Sequence, residues 1–210
     1  MNMIKSQKRY WDDLYKRQSN PPSCDDWLEN HLSILLSAKN IVELGCGHGS
    51  NTLYLYKQNI LPIACDFSDI ALSNIKKYCP EINTECFDIQ NGLPFYDHSI
   101  DVVIADLCLH YFTWNITNQI INDISRILTS NGYLIGRVNS VKDFNFGAMS
   151  GERLEKNYYY YNGCTKRFFD YNELIQLFDG WDLLHIKEST TNKYGNVKSV
   201  YEFCLKKKHE

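Results

Sequence analysis

The run Ile41-Val42-Glu43-Leu44-Gly45-Cys46-Gly47-His48-Gly49-Ser50-Asn51 constrains the fold more than any other stretch of the chain. Four residues of strand-like, mostly apolar character lead into glycines at alternate positions, and a helical pattern begins at once. Glycine has no Cβ and reaches positive φ cheaply. The spacing therefore predicts a buried strand ending in a tight turn that a ligand approaches closely. The helix from about residue 50 points its unpaired N–H groups back toward that turn.

The rest of the chain can be placed around this turn. Upstream, residues 8–36 carry two helical patterns: Tyr10, Trp11, Leu14 and Tyr15, then Trp27, Leu32, Leu35 and Leu36. Asn20-Pro21-Pro22-Ser23 separates them, and Asp25-Asp26 is expected to open the second. Downstream, strands are expected at 61–66, 82–87, 100–105 and 133–138, between helices at 50–58, 68–78 and 116–128. Asn131-Gly132 is read as the stop of the last of these helices. Residues 139–166 lack periodicity, hold four consecutive tyrosines and are expected as an insertion or lid. A helix from Asp170 and a pair of strands, 181–188 and 199–206, close the chain around Tyr194-Gly195-Asn196. That pair leaves no room for a crossover helix, so it is expected as an antiparallel hairpin.

The pattern predicts an α/β fold: a Rossmann-like, seven-stranded, mostly parallel sheet with helices on both faces and a C-terminal antiparallel hairpin. One domain spanning 1–210 is expected, with a helical cap over about 1–38, because single cores grow to roughly 250 residues before splitting. Such sheets bind ligands beyond the carboxyl ends of their strands.

Net charge is −3 and the pI about 6.1. This balance offers no long-range attraction to nucleic acid or an anionic membrane, so neither is expected as a partner. Eight cysteines form no Cys-x-x-Cys pair, which argues against a metal site and for a reducing compartment. Met1–Tyr10 lacks an apolar core, and no run of about 18 apolar residues appears, so a soluble cytoplasmic protein is expected.

Asp66, Asp88 and Asp106 each follow an apolar strand and are expected on one edge of the sheet, beside the glycine turn. Asp66 lies about 20 residues beyond Gly45, where an acidic side chain binds a ribose diol; capping of the helix that begins at Asp69 is the other reading. Ser50 stands where a dinucleotide fingerprint requires glycine, which counts against the alternative of a nicotinamide-dependent oxidoreductase.

What stands instead, Glu43-x-Gly45-x-Gly47-x-Gly49, resembles the first motif of the class I S-adenosylmethionine-dependent methyltransferases. Asp66-Phe67-Ser68 resembles their ribose motif and Asp88-Ile89 their adenine-contacting pair. Ile100–Asp106 resembles their fourth-strand motif, and Leu128–Gly132 the turn into their fifth strand. The resemblance implies S-adenosylmethionine as cofactor and methyl transfer to a small-molecule or peptide acceptor. A non-catalytic cofactor-binding protein is the other alternative. The implied cofactor residues are Trp11, Glu43, Gly45, Cys46, Gly47, Asp66, Phe67, Ser68, Asp88, Ile89, Asp106 and Leu107. No lysine or arginine lies between Asn40 and Leu55, as suits a ligand without phosphates. Glu43 either fixes the turn or touches the cofactor. Tyr10-Trp11-Asp12-Asp13-Leu14-Tyr15 resembles a helix of the tellurite-resistance and thiopurine methyltransferases, in which an aromatic ring covers the pocket; core packing is the other reading of Trp11.

On the acceptor side, Leu107–Phe112 follows the fourth strand. His110 is a candidate general base, with Tyr111 beside it, unless orientation alone suffices and His110 merely lines the pocket. Cys108 reads as a wall residue. Arg137, Tyr158, Tyr160 and Arg167 are expected around the acceptor; a buried Arg137 would need a partner such as Asp106. The terminal hairpin and the insertion leave room for a homodimer.

Overall fold

Strand and helix do alternate, and in the computed structural model, which describes residues 2–18, 20–24, 26–192 and 195–208, they build a central seven-stranded sheet. The chain enters through α1 (Asn2–Arg17), a 3-10 turn at Trp27–His31 and α2 (Leu32–Ser37). Asp26 holds the N-cap position of the 3-10 turn without a side-chain cap, so the second helical segment does open there, as 3-10 before it becomes α-helical at Leu32; Asp25 lies outside the described residues. Then follow β1 (Ile41–Leu44), α3 (Ser50–Lys57), β2 (Ile63–Asp66), α4 (Asp69–Tyr78), β3 (Thr84–Cys86), β4 (Ile100–Asp106), α5 (Trp114–Ile127) and β5 (Leu128–Asn139). Side-chain caps start two of these helices: Ser68 accepts from the Ala71 N–H at α4, and Thr113 from the Ile116 N–H at α5.

After β5 come β6 (Glu152–Glu155), β7 (Tyr158–Tyr161) and β8 (Cys164–Arg167), then α6 (Tyr171–Leu177), β9 (Trp181–Thr191) and β10 (Lys198–Lys207). The sheet order is β3-β2-β1-β4-β5-β10-β9, with the first five strands parallel and β10 antiparallel to both neighbours. The expected hairpin is present, with β10 rather than β9 against β5. Tyr194 of its expected turn lies outside the described residues. The chain runs outward from β1 to β3 and then returns to β4. The sheet therefore reverses direction beside β1, which is where a ligand crevice opens.

Alternation along the strands divides the core between the two faces. Val42, Leu44, Val103, Ala105 and Leu134 pack with Ile120, Ile124, Leu174 and Leu177 of α5 and α6. Ile41, Val102, Ile104 and Ile135 pack on the other face with Leu35, Tyr54 and Leu55. Burying each such aliphatic side chain contributes about 1.5–3 kcal/mol. Among the described residues, no helix is long and apolar enough to cross a membrane.

Two expectations need correction. Residues 152–167 are not irregular: they form a separate antiparallel sheet, β6-β7-β8. Tyr161 and Cys164 pair across the two-residue loop Asn162-Gly163, whose φ values of 50° and 81° are those a tight hairpin requires. Likewise Asn131-Gly132 does not end α5. The helix stops at Ile127, and buried Leu128 is already extended, pairing with Ile100 ahead of a register shift in the β4–β5 ladder.

Gly49 starts α3 with φ +83°, and a Cβ there would lie 2.6 Å from Cγ1 of Ile75 in α4. Gly49→Ala is expected to cost about 1–3 kcal/mol through backbone strain and overpacking. Urea denaturation reads this as a lower midpoint; an unchanged midpoint would contradict the packing described.

Candidate active site

A cavity of about 790 Å³ opens at the carboxyl ends of β1, β2 and β4, under α1 and beside β8. The glycine turn forms its floor. Gly45 has φ +61°, and a Cβ there would meet the Cβ of Cys108 at 2.5 Å. The close approach that this glycine permits is thus made first by the protein's own loop after β4.

Asp66 ends β2 and is 4% exposed. Its Oδ2 accepts the Gly47 N–H at 2.9 Å and its Oδ1 the Ser68 N–H at 2.9 Å. Burial pushes its pKa up to about 6, against the pull of those two amides and of Lys8. Glu43 is spent on the scaffold: Oε1 accepts from Asn51 Nδ2 at 3.2 Å and Oε2 from Thr52 Oγ1 at 2.5 Å, fastening β1 to α3. Asn51 also donates to Asp106 Oδ2 at 3.1 Å and accepts from Trp27 Nε1 at 3.0 Å. Arg137 grips Asp106 through Nε at 2.7 Å and Nη2 at 2.9 Å, with its guanidinium 4.5 Å from the Trp27 ring centre. Asp88 is half-buried and accepts both the backbone and side-chain N–H groups of Gln90.

The roof is aromatic. Trp11 stacks on Tyr15 at 5.8 Å and meets Tyr111 edge-on at 5.5 Å, and Tyr111 leans on His110 at 4.3 Å. Gln7 ties α1 to β8 by donating to Thr165 Oγ1 at 3.0 Å. His110 is 1% exposed, and its Nδ1 has no hydrogen-bond partner among the described residues. Burial, reinforced by Lys198 and Lys166, holds its pKa well below the usual histidine value, so the ring is neutral at physiological pH.

Of the residues expected at the cofactor, Trp11, Glu43, Gly45, Cys46, Gly47, Asp66, Phe67, Asp88, Ile89, Asp106 and Leu107 line the cavity, as do His110 and Tyr111. Ser68 does not. Its hydroxyl donates to Asp12 and caps α4, which leaves it fully buried. The expected acceptor residues Arg137, Tyr158, Tyr160 and Arg167 also lie off the cavity. Arg137 is held by Asp106, and Tyr160 faces solvent. Tyr158 donates to the Tyr111 carbonyl, while Arg167 pairs with Glu155 and sits against Trp114 and Tyr158. Their places are taken by Phe146, Lys166 and Lys198. Lys166 and Arg167 are adjacent in a strand and so point to opposite faces, a distinction invisible while the segment read as a loop.

Comparison with known proteins agrees with this geometry. Residues 41–132 match the family described as a methyltransferase domain. A methyltransferase from Methanosarcina mazei superposes with a TM-score of 0.74 at 15% identity, covering 86% of this chain and 98% of that one. The Burkholderia thailandensis 1,6-didemethyltoxoflavin-N1-methyltransferase, solved with bound S-adenosylhomocysteine, superposes at 0.65 and 15% identity, covering 86% of this chain and 75% of that one. In sequence, a tRNA N(3)-cytidine methyltransferase of Gallus gallus is 26% identical across the whole of this chain and 60% of its own. The tRNA(Thr) (cytosine(32)-N(3))-methyltransferase of Saccharomyces cerevisiae is 26% identical over 80% of this chain and 30% of its own. The chain thus spans between about a third and three-fifths of the length of these two relatives.

Sheet order, the glycine turn after β1 and the acidic strand ends define a Rossmann-like α/β fold. More narrowly, residues 41–132 match a methyltransferase domain, and the fold is the one seen in solved S-adenosylmethionine-dependent methyltransferases. The tRNA-modifying relatives overturn the expectation that nucleic acid is excluded. That expectation averaged charge over the whole surface. That average hides local clustering: α1, which borders the cavity, holds Lys8, Arg9, Lys16 and Arg17 against Asp12 and Asp13.

Proposed function

We propose that this chain transfers the methyl group of S-adenosylmethionine to a ring nitrogen of a cytosine base in RNA. The observation that carries this reading is the similarity to a tRNA cytidine methyltransferase along the entire chain, including α1 and the β6-β7-β8 sheet that border the acceptor end. The aromatic roof of Trp11, Tyr15 and Tyr111 suits a flat base, since recognition of single-stranded RNA relies on stacking. The cluster of cations on α1 suits the phosphate backbone.

When bound, S-adenosylmethionine supplies a sulfonium-activated methyl group. The residues lining the cavity fit it: Asp66 would accept from the ribose hydroxyls, Asp88 from the adenine amine, and the backbone at Gly45–Gly47 would hold the methionyl end. A cytosine ring nitrogen attacks through a lone pair and needs no deprotonation, so orientation is the main task of the site. His110, buried and neutral, then acts as a hydrogen-bonding wall of the pocket rather than as the general base. Eight free thiols accord with a cytoplasmic location.

Incubation with tritiated S-adenosylmethionine and a total cell extract tests the reading. Label is expected in the RNA fraction as methylated cytidine after nuclease digestion. Label confined to small metabolites or peptides would contradict it.

A further inference from the structure

The cavity changes sign along its length. Asp66, Asp88 and Asp106 line its cofactor end, whereas Lys166 and Lys198 line the acceptor end. The two ammonium groups converge on Phe146. Lys198 Nζ lies 4.4 Å from the centre of its ring, and Lys166 Nζ donates to its carbonyl oxygen at 3.5 Å. One lysine comes from the main sheet and the other from the small sheet, so the two layers meet at this point.

The partners of the two lysines differ. Lys198 is 5% exposed and is paired with Asp143 at 2.8 Å. Lys166 has no carboxylate within ion-pair distance among the described residues; its one hydrogen bond is to the Phe146 carbonyl. An ammonium has three N–H donors, so Lys166, part-buried in the cavity wall, keeps donors and a charge free to meet a ligand. Beside it, buried His110 carries an unpartnered Nδ1. A run of ring contacts, Trp11 to Tyr111 to His110, leads from the glycine turn to this wall.

We propose that Lys166, backed by Lys198 and His110, forms a phosphate subsite for the methyl acceptor, which holds the phosphate of the target nucleotide while its base lies among the aromatic rings. The inference rests on the RNA reading above and narrows it. The unit recognised is a nucleotide, and a free base or nucleoside lacks the group that Lys166 balances. Lysine suits this role as a mobile point charge, and charge-assisted hydrogen bonds to phosphate oxygens are among the stronger ones available.

Calorimetric titration of the S-adenosylhomocysteine complex with cytidine 5′-monophosphate, ribose 5-phosphate and cytidine provides the test. The monophosphate is expected to bind at least ~10-fold tighter than cytidine, and Lys166→Met to abolish that preference. Lys166→Arg should retain most of it, and affinity for S-adenosylhomocysteine should be unchanged in both variants. Equal binding of cytidine and its monophosphate, no binding of the monophosphate, or a preference that survives Lys166→Met would overturn the subsite. The two readings can fail separately. Ribose 5-phosphate binding as well as the cytidine nucleotide, in a Lys166-dependent way, supports the subsite and counts against cytosine as the base. Methylation of RNA at a KM indifferent to Lys166→Met supports the RNA acceptor and overturns the subsite.

Discussion

Arg137→Met is expected to destabilise the fold by about 3–5 kcal/mol, because it leaves the Asp106 carboxylate buried without its counter-charge. Both residues are almost fully enclosed, with side-chain exposures of 3% and 6%, and they are joined by a bidentate pair at 2.7 and 2.9 Å. The substitution also removes a cation stacked on Trp27. Asp106 would retain its bond from Asn51 Nδ2, which softens the loss without balancing the charge. The double variant Arg137→Met with Asp106→Leu should recover much of the deficit, since removing both charges is far less costly than stranding one. Thermal denaturation of the two variants reads the difference directly. Equal destabilisation of both would mean that packing, and not the charge, dominates at this site.

Asp66→Ala is expected to weaken S-adenosylhomocysteine binding by at least ~100-fold. Under the reading proposed above it removes the acceptor for two ribose hydroxyls, each loss costing about 1–3 kcal/mol; the Gly47 and Ser68 N–H groups it also strands lower stability in the free and bound states alike. The same carboxylate sets a pH dependence. Its folded pKa, about 6, is raised above the ordinary carboxylate value by burial. Between the two values the native state holds a proton that the unfolded chain has lost. The contribution of Asp66 to stability therefore falls as pH rises through that window and stays low above it. Cofactor affinity runs the opposite way. Ribose hydroxyls donate to the ionised form, so binding should be flat above neutrality and lose about tenfold per unit below about pH 6. Titrations across that range, repeated with Asp66→Asn, check the assignment: the variant should bind weakly with a flattened profile. A wild-type affinity independent of pH would show that Asp66 does not meet the ribose.

Much of this architecture was legible in the residues themselves. The apolar runs at 41–44 and 100–106 and the helical spacing of Ile116, Ile120, Ile124 and Ile127 placed the central strands and α5, because burial on both faces or on one stripe leaves a periodic trace. Asp66 and Asp88 could be placed because the first ends β2 and the second follows β3 by two residues, at a shared edge. The acceptor end left weaker traces. The short strands of the β6-β7-β8 sheet are largely exposed, so they lack apolar alternation, and their one clear signal was the Asn162-Gly163 hairpin turn. Side chains alternate along β8, so Lys166 and not Arg167 reaches the cavity, a difference that depends on the hairpin register. Arg137 misled for a related reason. A guanidinium in an apolar strand signals a buried partner, and the partner proved to be Asp106 of the neighbouring strand rather than a substrate. Nucleic acid was excluded on net charge, which says nothing about where Lys and Arg cluster.

The glycine turn and Asp66 are proposed to form a nucleoside site without phosphate recognition. Isothermal titration with S-adenosylhomocysteine, set beside NADH, tests that most directly. One equivalent of S-adenosylhomocysteine should bind with micromolar affinity and NADH should give no heat. Saturable binding of NADH without binding of S-adenosylhomocysteine would contradict it.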